Sequence, residues 1–248
     1  MAQDSAPARP ASLGAQRRLR SLQGDIMDLI LDRNLDVGDP MPTEAELCTA
    51  LGVGRNTVRE ALKVLQALGV VEIRHGFGTF VAAAGFESLA SSLAFRGRLS
   101  LRHGGHEAME LADVRQALEA GLIGMAIDRM TSEHLEELEK LVEEMEGLAA
   151  AGTNFSVADQ EFHRQLYTPL HNELLTNLLD VFWSAYAQIH RETGFEVASL
   201  QDNAHQHRLI FEAVRDKDKE LAARRVSSHF DGIRDHLNAL TGPAPVAQ

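Results

Sequence analysis

Disulfide chemistry is absent from this 248-residue chain, because Cys48 is its only cysteine, and a reducing cytoplasm is its natural compartment. Positive charge is also in short supply. Lysine and arginine number 24 against 36 aspartates and glutamates, a net charge of −12, which excludes a uniformly basic coat for nucleic acid. No apolar run approaches the roughly 18 residues that a membrane span needs, so no membrane partner is expected. The N-terminal MAQDSAPARPAS lacks an apolar segment and does not read as a signal peptide. With 7 prolines and 19 glycines in no fixed period, the chain is neither collagen-like nor low in complexity. No β-type alternation follows Val81, which removes any large sheet. What remains is an ordinary globular composition, 44% hydrophobic and 24% charged, enough for one large or two modest domains.

The charge is unevenly placed. Residues 1–82 carry a net of −1, and residues 83–248 a net of −11. Ten of the 11 histidines lie beyond residue 100, His75 being the exception. The first part can approach an anion if its few cations cluster, whereas the second cannot attract a polyanion by bulk charge.

The first part has a readable order. Leu19, Leu22, Ile26, Leu29 and Ile30 form a helical stripe over 15–33, and Val37-Gly38-Asp39-Pro40 breaks it. Thr43 and Glu46 form a capping box that opens a short helix ending near Leu51-Gly52. A second helix follows over 54–68, with Val58, Ala61, Leu62, Leu65 and Leu68 as its inner face. Two short helices around a tight glycine turn make a helix-turn-helix. Val70–Arg74 and Thr79–Val81 flank His75-Gly76-Phe77-Gly78, a hairpin that would serve as a wing. Arg55 and Arg59, four apart, share one face of the second helix, with Asn56 beside them. Arginine bonds guanine bidentately and helix-start amides hold phosphate, so this face suits double-stranded DNA, although an ordinary solvated face has the same pattern.

The segment MPTEAELCTALGVGRNTVREALKVLQALGVVEIRHGFGTFV resembles the winged-helix DNA-binding domain of the GntR family of bacterial transcription regulators. The resemblance implies that Arg55, Asn56, Thr57 and Arg59 face DNA and that His75 and Gly76 enter the minor groove. Two positions depart from the family pattern. Ala45 stands where arginine is usual, and Gly54 where serine or threonine is common, which bears on the operator sequence rather than on DNA binding.

The second part is helical by pattern over 107–129, 132–150, 156–168, 171–190, 198–215 and 217–240, with a shorter helix near 86–95. The expected organisation is a disordered tail at 1–13, a winged helix-turn-helix at 14–82 and a linker at 83–106. An antiparallel helical bundle at 107–241 and a disordered tail at 242–248 complete it. The fold class is mostly α. The glutamate-rich run Glu133–Glu146 reads as a solvated face.

Polar residues interrupt the apolar stripes of this bundle. Asp159 and His163 sit four apart, in line with Phe162, Leu166 and Leu170. His207 is in register with Ile210, Phe211 and Val214, and His229 with Ala222, Val226 and Ile233. Buried carboxylates and imidazoles are costly unless paired or bound to a metal. Asp-x3-His supplies two ligands from adjacent turns of one helix, while the competing reading is of core histidines bonded to carbonyls. His205 points elsewhere, and His236 lies roughly 10 Å along the stripe from His229. Arg115 shares a stripe with Leu111, Leu118 and Leu122, where it can clamp an acid or pair with an inward carboxylate.

ADVRQALE, ADQEFHRQL, HQHRLIFEAV and ARRVSSHFDGI resemble the FCD effector domain of FadR-type regulators, over about 107–240. The resemblance implies a divalent metal held by Asp159, His163, His207 and His229. It implies a ligand class other than acyl-CoA, and a polar position at the pocket for Asn172. Three nitrogens and one oxygen suit zinc, nickel or manganese and leave positions for a small carboxylate or sugar-acid effector. The expected protein is a homodimeric repressor of a metabolic operon, bound to a short inverted repeat, and not an enzyme. The alternatives are a metal-dependent hydrolase and a dedicated metal sensor.

Overall fold

The computed structural model describes residues 10–83, 85–193 and 199–241. Residues 1–9 of the tail expected at 1–13, the tail expected at 242–248 and the helix break expected at Gly194 lie outside the described residues. Eleven α-helices and one two-stranded sheet account for most of the described chain, which bears out a mostly α architecture. The chain divides into two compact units between Ser88 and Leu89.

In the first unit α1 (Pro10–Asp32) begins ahead of the apolar stripe that marks it, within the segment expected as tail. Thr43 caps α2 (Glu44–Leu51) as its spacing requires: its N–H donates to Glu46 Oε2 at 2.8 Å, and Glu46 N–H donates back to Thr43 Oγ1 at 3.3 Å. Gly52, with φ 65°, ends α2 in the left-handed region that glycine adopts without strain. α3 (Arg55–Ala67) buries Val58, Ala61, Leu62 and Leu65 against Leu22, Ile26 and Ile30 of α1 and Leu47 of α2, whereas Leu68, expected on the same face, falls at the cap beyond the last turn and stays exposed. β1 (Val71–Arg74) and β2 (Gly78–Val81) pair antiparallel, Val71 opposite Val81 and Arg74 opposite Gly78. The Gly38–Met41 segment lies along the other edge of β2, with Met41 N–H donating to Thr79 O at 2.8 Å and Gly38 N–H to Val81 O at 2.9 Å.

In the second unit α4 (Glu87–Leu101) is longer than the short helix expected near 86–95. α5 (His106–Arg129), α6 (Ser132–Ala150), α7 (Ser156–Tyr167), α8 (Glu173–Thr193), α9 (Leu200–Arg215), α10 (Lys219–His229) and α11 (Asp231–Thr241) follow, with a 3-10 turn at Thr168–Leu170 around Pro169. Contacts run from α5 to α10, α10 to α9, α9 to α6, α6 to α7 and α7 back to α5, which closes a ring of five helices. Ile123, Val142, Met145, Phe162, Leu166, Phe211 and Val226 fill it and are fully buried. One expectation fails here. The stripe over 217–240 predicts a single helix, yet the chain turns at Phe230, whose N–H donates to Ser227 O instead of continuing the i−4 ladder. The turn puts the Phe230 ring, fully buried, beside His163 and His229. Burial of an aromatic ring outweighs the lost helical hydrogen bond, and periodicity is blind to that choice.

Gly69 stops α3 with φ 72°, and a Cβ built on it would lie 2.8 Å from the carbonyl oxygen of Gly85. Both the left-handed backbone and the clash penalise any side chain there. Gly69→Ala is expected to cost about 2 kcal/mol or more of stability, measured as a lowered urea midpoint.

Candidate metal centre and nucleic-acid interface

Asp159 and His163 occupy adjacent turns of α7, His207 lies in the middle of α9, and His229 is the last residue of α10. The helical ring brings one ligand atom from each within 4.8 Å of all the others. His207 Nε2 is 2.9 Å from Asp159 Oδ1, His163 Nε2 is 3.4 Å from the same oxygen, and His163 Nε2 is 3.3 Å from His229 Nε2. Two donors bound at 2.0–2.1 Å to one ion stand about 3.0 Å apart at a right angle and about 3.4 Å apart at the tetrahedral angle. These three separations, 2.9 to 3.4 Å, lie close to that range, within a donor set that spans 4.8 Å.

The outer nitrogens give a second test of fit. His207 Nδ1 is 2.8 Å from the carbonyl oxygen of Asn203, one turn earlier on α9. A carbonyl only accepts, so Nδ1 carries the proton and Nε2 presents a lone pair. His163 Nδ1 lies 2.5 Å from Glu119 Oε2 and is committed in the same way. The lone pairs of His207 and His163 therefore face the Asp159 carboxylate, acceptor against acceptor. Such an arrangement needs a cation at its centre, either a metal ion or extra protons on the rings. The residues present fit a divalent ion.

The surroundings bias the protons the same way. Burial would raise the Asp159 carboxyl, but the electrostatic pull of His207 and its hydrogen bond, with His163 and His229 behind them, outweigh it and hold Asp159 below the usual range. Burial, then the charges of His207 and His163, pushes His229 well below an ordinary imidazole, so its lone pair is available at neutral pH. His205 is exposed, and the side chain of His236 lies outside the described residues.

Arg115 is inward and buried, as its stripe requires, but it is not a free counter-ion. Its Nε donates to Glu119 Oε1 at 2.6 Å, and the two side chains are 5% and 0% exposed. Glu119 thus joins Arg115 to His163. Burial would raise its carboxyl, yet the charges of Arg115 and His163 prevail and keep it ionised. Sequence reasoning missed Glu119, although it stands four residues after Arg115 on the same face. Asn172 does not join this group: it is exposed, and its Oδ1 accepts from Leu175 N–H at 3.1 Å at the start of α8.

On the first unit, Arg55, Asn56, Thr57 and Arg59 are exposed along the start of α3, and His75 and Gly76 along the turn between β1 and β2. Gly54 caps α3 without a side-chain hydrogen bond, so no side chain competes for the first amides of the helix. Arg59 is engaged: its Nε lies 2.9 and 2.8 Å from the two carboxylate oxygens of Glu44 on α2, in a pair 57% and 37% exposed that is worth little in stability. Arg74 stacks over Phe80 at 4.3 Å and stiffens the base of the wing. Phe77 stands 84% exposed at its tip.

Removing one member of a buried ion pair leaves the other charge without compensation. Arg115→Ala and Glu119→Gln are each expected to destabilise the second unit by about 3 to 5 kcal/mol in chemical denaturation, far more than Arg59→Ala.

Comparison with known proteins agrees with this division. Residues 20–81 match the bacterial regulatory proteins of the gntR family, and residues 110–232 match the FCD domain. The transcriptional regulator LutR of Bacillus subtilis is 28% identical over 215 residues, covering 85% of this chain and 96% of its own. The transcriptional repressor NanR of Cronobacter sakazakii is 28% identical over 248 residues, covering 96% and 94%. The galactonate operon transcriptional repressor of Escherichia coli is 26% identical over 205 residues, covering 82% and 90%. Among solved structures, a GntR protein of Streptococcus agalactiae superposes with a TM-score of 0.62 at 29% identity, over 88% of this chain and 99% of that one. No helix among the described residues is long and apolar enough to cross a membrane. With a winged helix-turn-helix ahead of an FCD domain, the chain belongs to the gntR family of bacterial regulatory proteins and is a DNA-binding transcriptional regulator, not an enzyme.

Proposed function

We propose that the protein is a cytoplasmic repressor of a metabolic operon that binds a short inverted repeat as a homodimer and responds to a small organic or sugar acid held at a divalent metal. The observation that carries the metal is the gathering of three imidazoles and one carboxylate inside the helical ring, one ligand atom of each within 4.8 Å of all the others. Asp159, His163, His207 and His229 would hold the ion, with zinc, nickel and manganese all suited to such a donor set. Glu119 and Asn203 fix the two ring orientations from outside. When bound, the ion supplies an electrophilic centre for the oxygen of an acid. The relatives named as repressors, one of them of a galactonate operon, support both the sign of the regulation and the sugar-acid class. In this reading the acid-loaded form is the one that holds DNA less tightly. A ligand moves that balance only by its difference in affinity for the two states.

DNA contact is assigned to Arg55, Asn56, Thr57 and Arg59 of α3 and to His75 and Gly76 of the wing. So few cations on one copy give little affinity, and two-fold symmetry doubles them. The acidic second unit repels DNA and would instead supply the interface between copies.

Two measurements test these assignments. Arg55→Ala should weaken operator binding by roughly 1–3 kcal/mol and relax base preference in a gel-shift series. Parent-like binding by that variant would remove the recognition-helix assignment. Elemental analysis of protein purified without chelator should find about one divalent ion per chain, and His163→Ala should abolish it. Protons compete for the same nitrogen lone pairs, so metal occupancy should fall as the solution is acidified. A chain that carries no metal at neutral pH refutes the centre.

A further inference from the structure

The tip of the wing is His75-Gly76-Phe77-Gly78, with no lysine or arginine in it. Phe77 N–H donates to the carbonyl oxygen of Arg74 at 2.9 Å and closes a β-turn whose third residue is Gly76, φ 80°. A positive φ at that position calls for glycine. Gly78 follows at φ 113°, and a Cβ built on either glycine would meet no other group within 4 Å. The backbone is therefore bare on both sides of Phe77, whose ring is the one bulky apolar group at the tip and stands 84% exposed. So little of that ring leaves water that it adds almost nothing to folding. The other aromatic of the wing, Phe80, is covered: the Arg74 guanidinium lies 4.3 Å over it and also meets Glu72 at 2.9 Å. The only arginine of the hairpin is thus engaged at its base. What the tip presents is an imidazole, backbone amides and a bare phenyl ring.

We infer that Phe77 is an apolar wedge: carried into the minor groove by the wing, its ring enters between two base pairs and partly unstacks them. This rests on the wing contact proposed above and adds how the groove is read. The minor groove is about 6 Å wide and shows nearly the same hydrogen-bond pattern for A·T and T·A, so donors discriminate poorly there. An apolar side chain that opens a base step reads instead how easily the step deforms, and the pyrimidine–purine steps TA and CA open most readily. Backbone without side chains at Gly76 and Gly78 fits between the walls of the groove and leaves the ring as the leading group. The charge of the chain favours the same solution. Residues 1–82 carry a net of −1 and the rest a net of −11, so attraction to phosphate is weak. A buried ring supplies affinity that does not depend on salt.

The test uses the full-length protein and duplexes that it enriches from a library randomised over roughly 20 base pairs, enough for two half-sites one turn apart. 2-Aminopurine, which brightens when it unstacks, is placed at each position of an enriched duplex in turn. Parent protein should brighten it at one step on each flank, and that step should be TA or CA. Phe77→Ala should leave every position dark and bind about tenfold more weakly, the loss expected for one buried ring. Its dependence of affinity on salt should keep the parent slope, whereas Arg55→Ala should flatten it. Phe77→Leu keeps an apolar wedge and should restore both the brightening and most of the affinity. Because the ring is exposed, Phe77→Ala should fold like the parent, with an unchanged urea midpoint. Parent-like affinity of Phe77→Ala, or a probe that stays dark at every position with parent protein, overturns the wedge. Loss of affinity in His75→Ala without loss in Phe77→Ala overturns the wedge alone and leaves the wing contact standing. Loss in Arg55→Ala with parent-like binding by both wing variants removes the wing from the groove, and the wedge with it.

Discussion

Everything in the second unit's interior is arranged around one buried carboxylate, that of Glu119. A charge removed from water persists only if it is paired and hydrogen-bonded. Glu119 meets that demand with Arg115 on its own helix and His163 across the ring. Each pairing has a consequence. Arg115 is held over the rings of Trp183 and Phe230. His163 is held by Nδ1, which turns Nε2 toward Asp159 and His229. Tyr167 adds its hydroxyl to the Glu119 carbonyl oxygen at 2.8 Å and ties the end of α7 to α5. The candidate metal centre rests on this carboxylate through His163, and the same group holds Arg115 in place.

The two units divide the electrostatic work. The first is near neutral and exposes its arginines where α3 begins, so its contact with DNA is local and geometric. The second carries nearly all of the negative charge and cannot assist by attraction. Its contribution is a closed ring in which α7, α9 and α10 each bring a donor to one point. An ion there would act as a cross-link between three helices, and a ligand on that ion would be sensed by all three at once.

Much of this was legible in the order of residues because it depends on local spacing. The Thr43–Glu46 capping box, the glycine stop at Gly52, the inner face of α3 and the β1–β2 hairpin all follow from neighbours within about four positions. Asp159 and His163 were legible for the same reason, and His207 and His229 because polar side chains stood inside apolar stripes. Glu119 was in reach by that rule and was overlooked beside the more conspicuous Arg115. Asn172 was placed at the pocket by resemblance alone, and the structure uses it instead to accept from the start of α8.

The residue order alone thus determined two units of different charge, a winged helix ahead of a helical bundle, and the inward positions of Asp159, His163, His207 and His229, since periodicity and capping are properties of contiguous chain. Only the tertiary structure decided that Arg59 is tied to Glu44, that Glu119 reaches His163 across the ring, that Trp183 stacks on Arg115, and that the last helix breaks at Phe230. These are meetings between residues distant in the chain, or choices between a helical hydrogen bond and a buried ring. Their free energies arise from desolvation and packing, and those exist only once the helices have closed on one another.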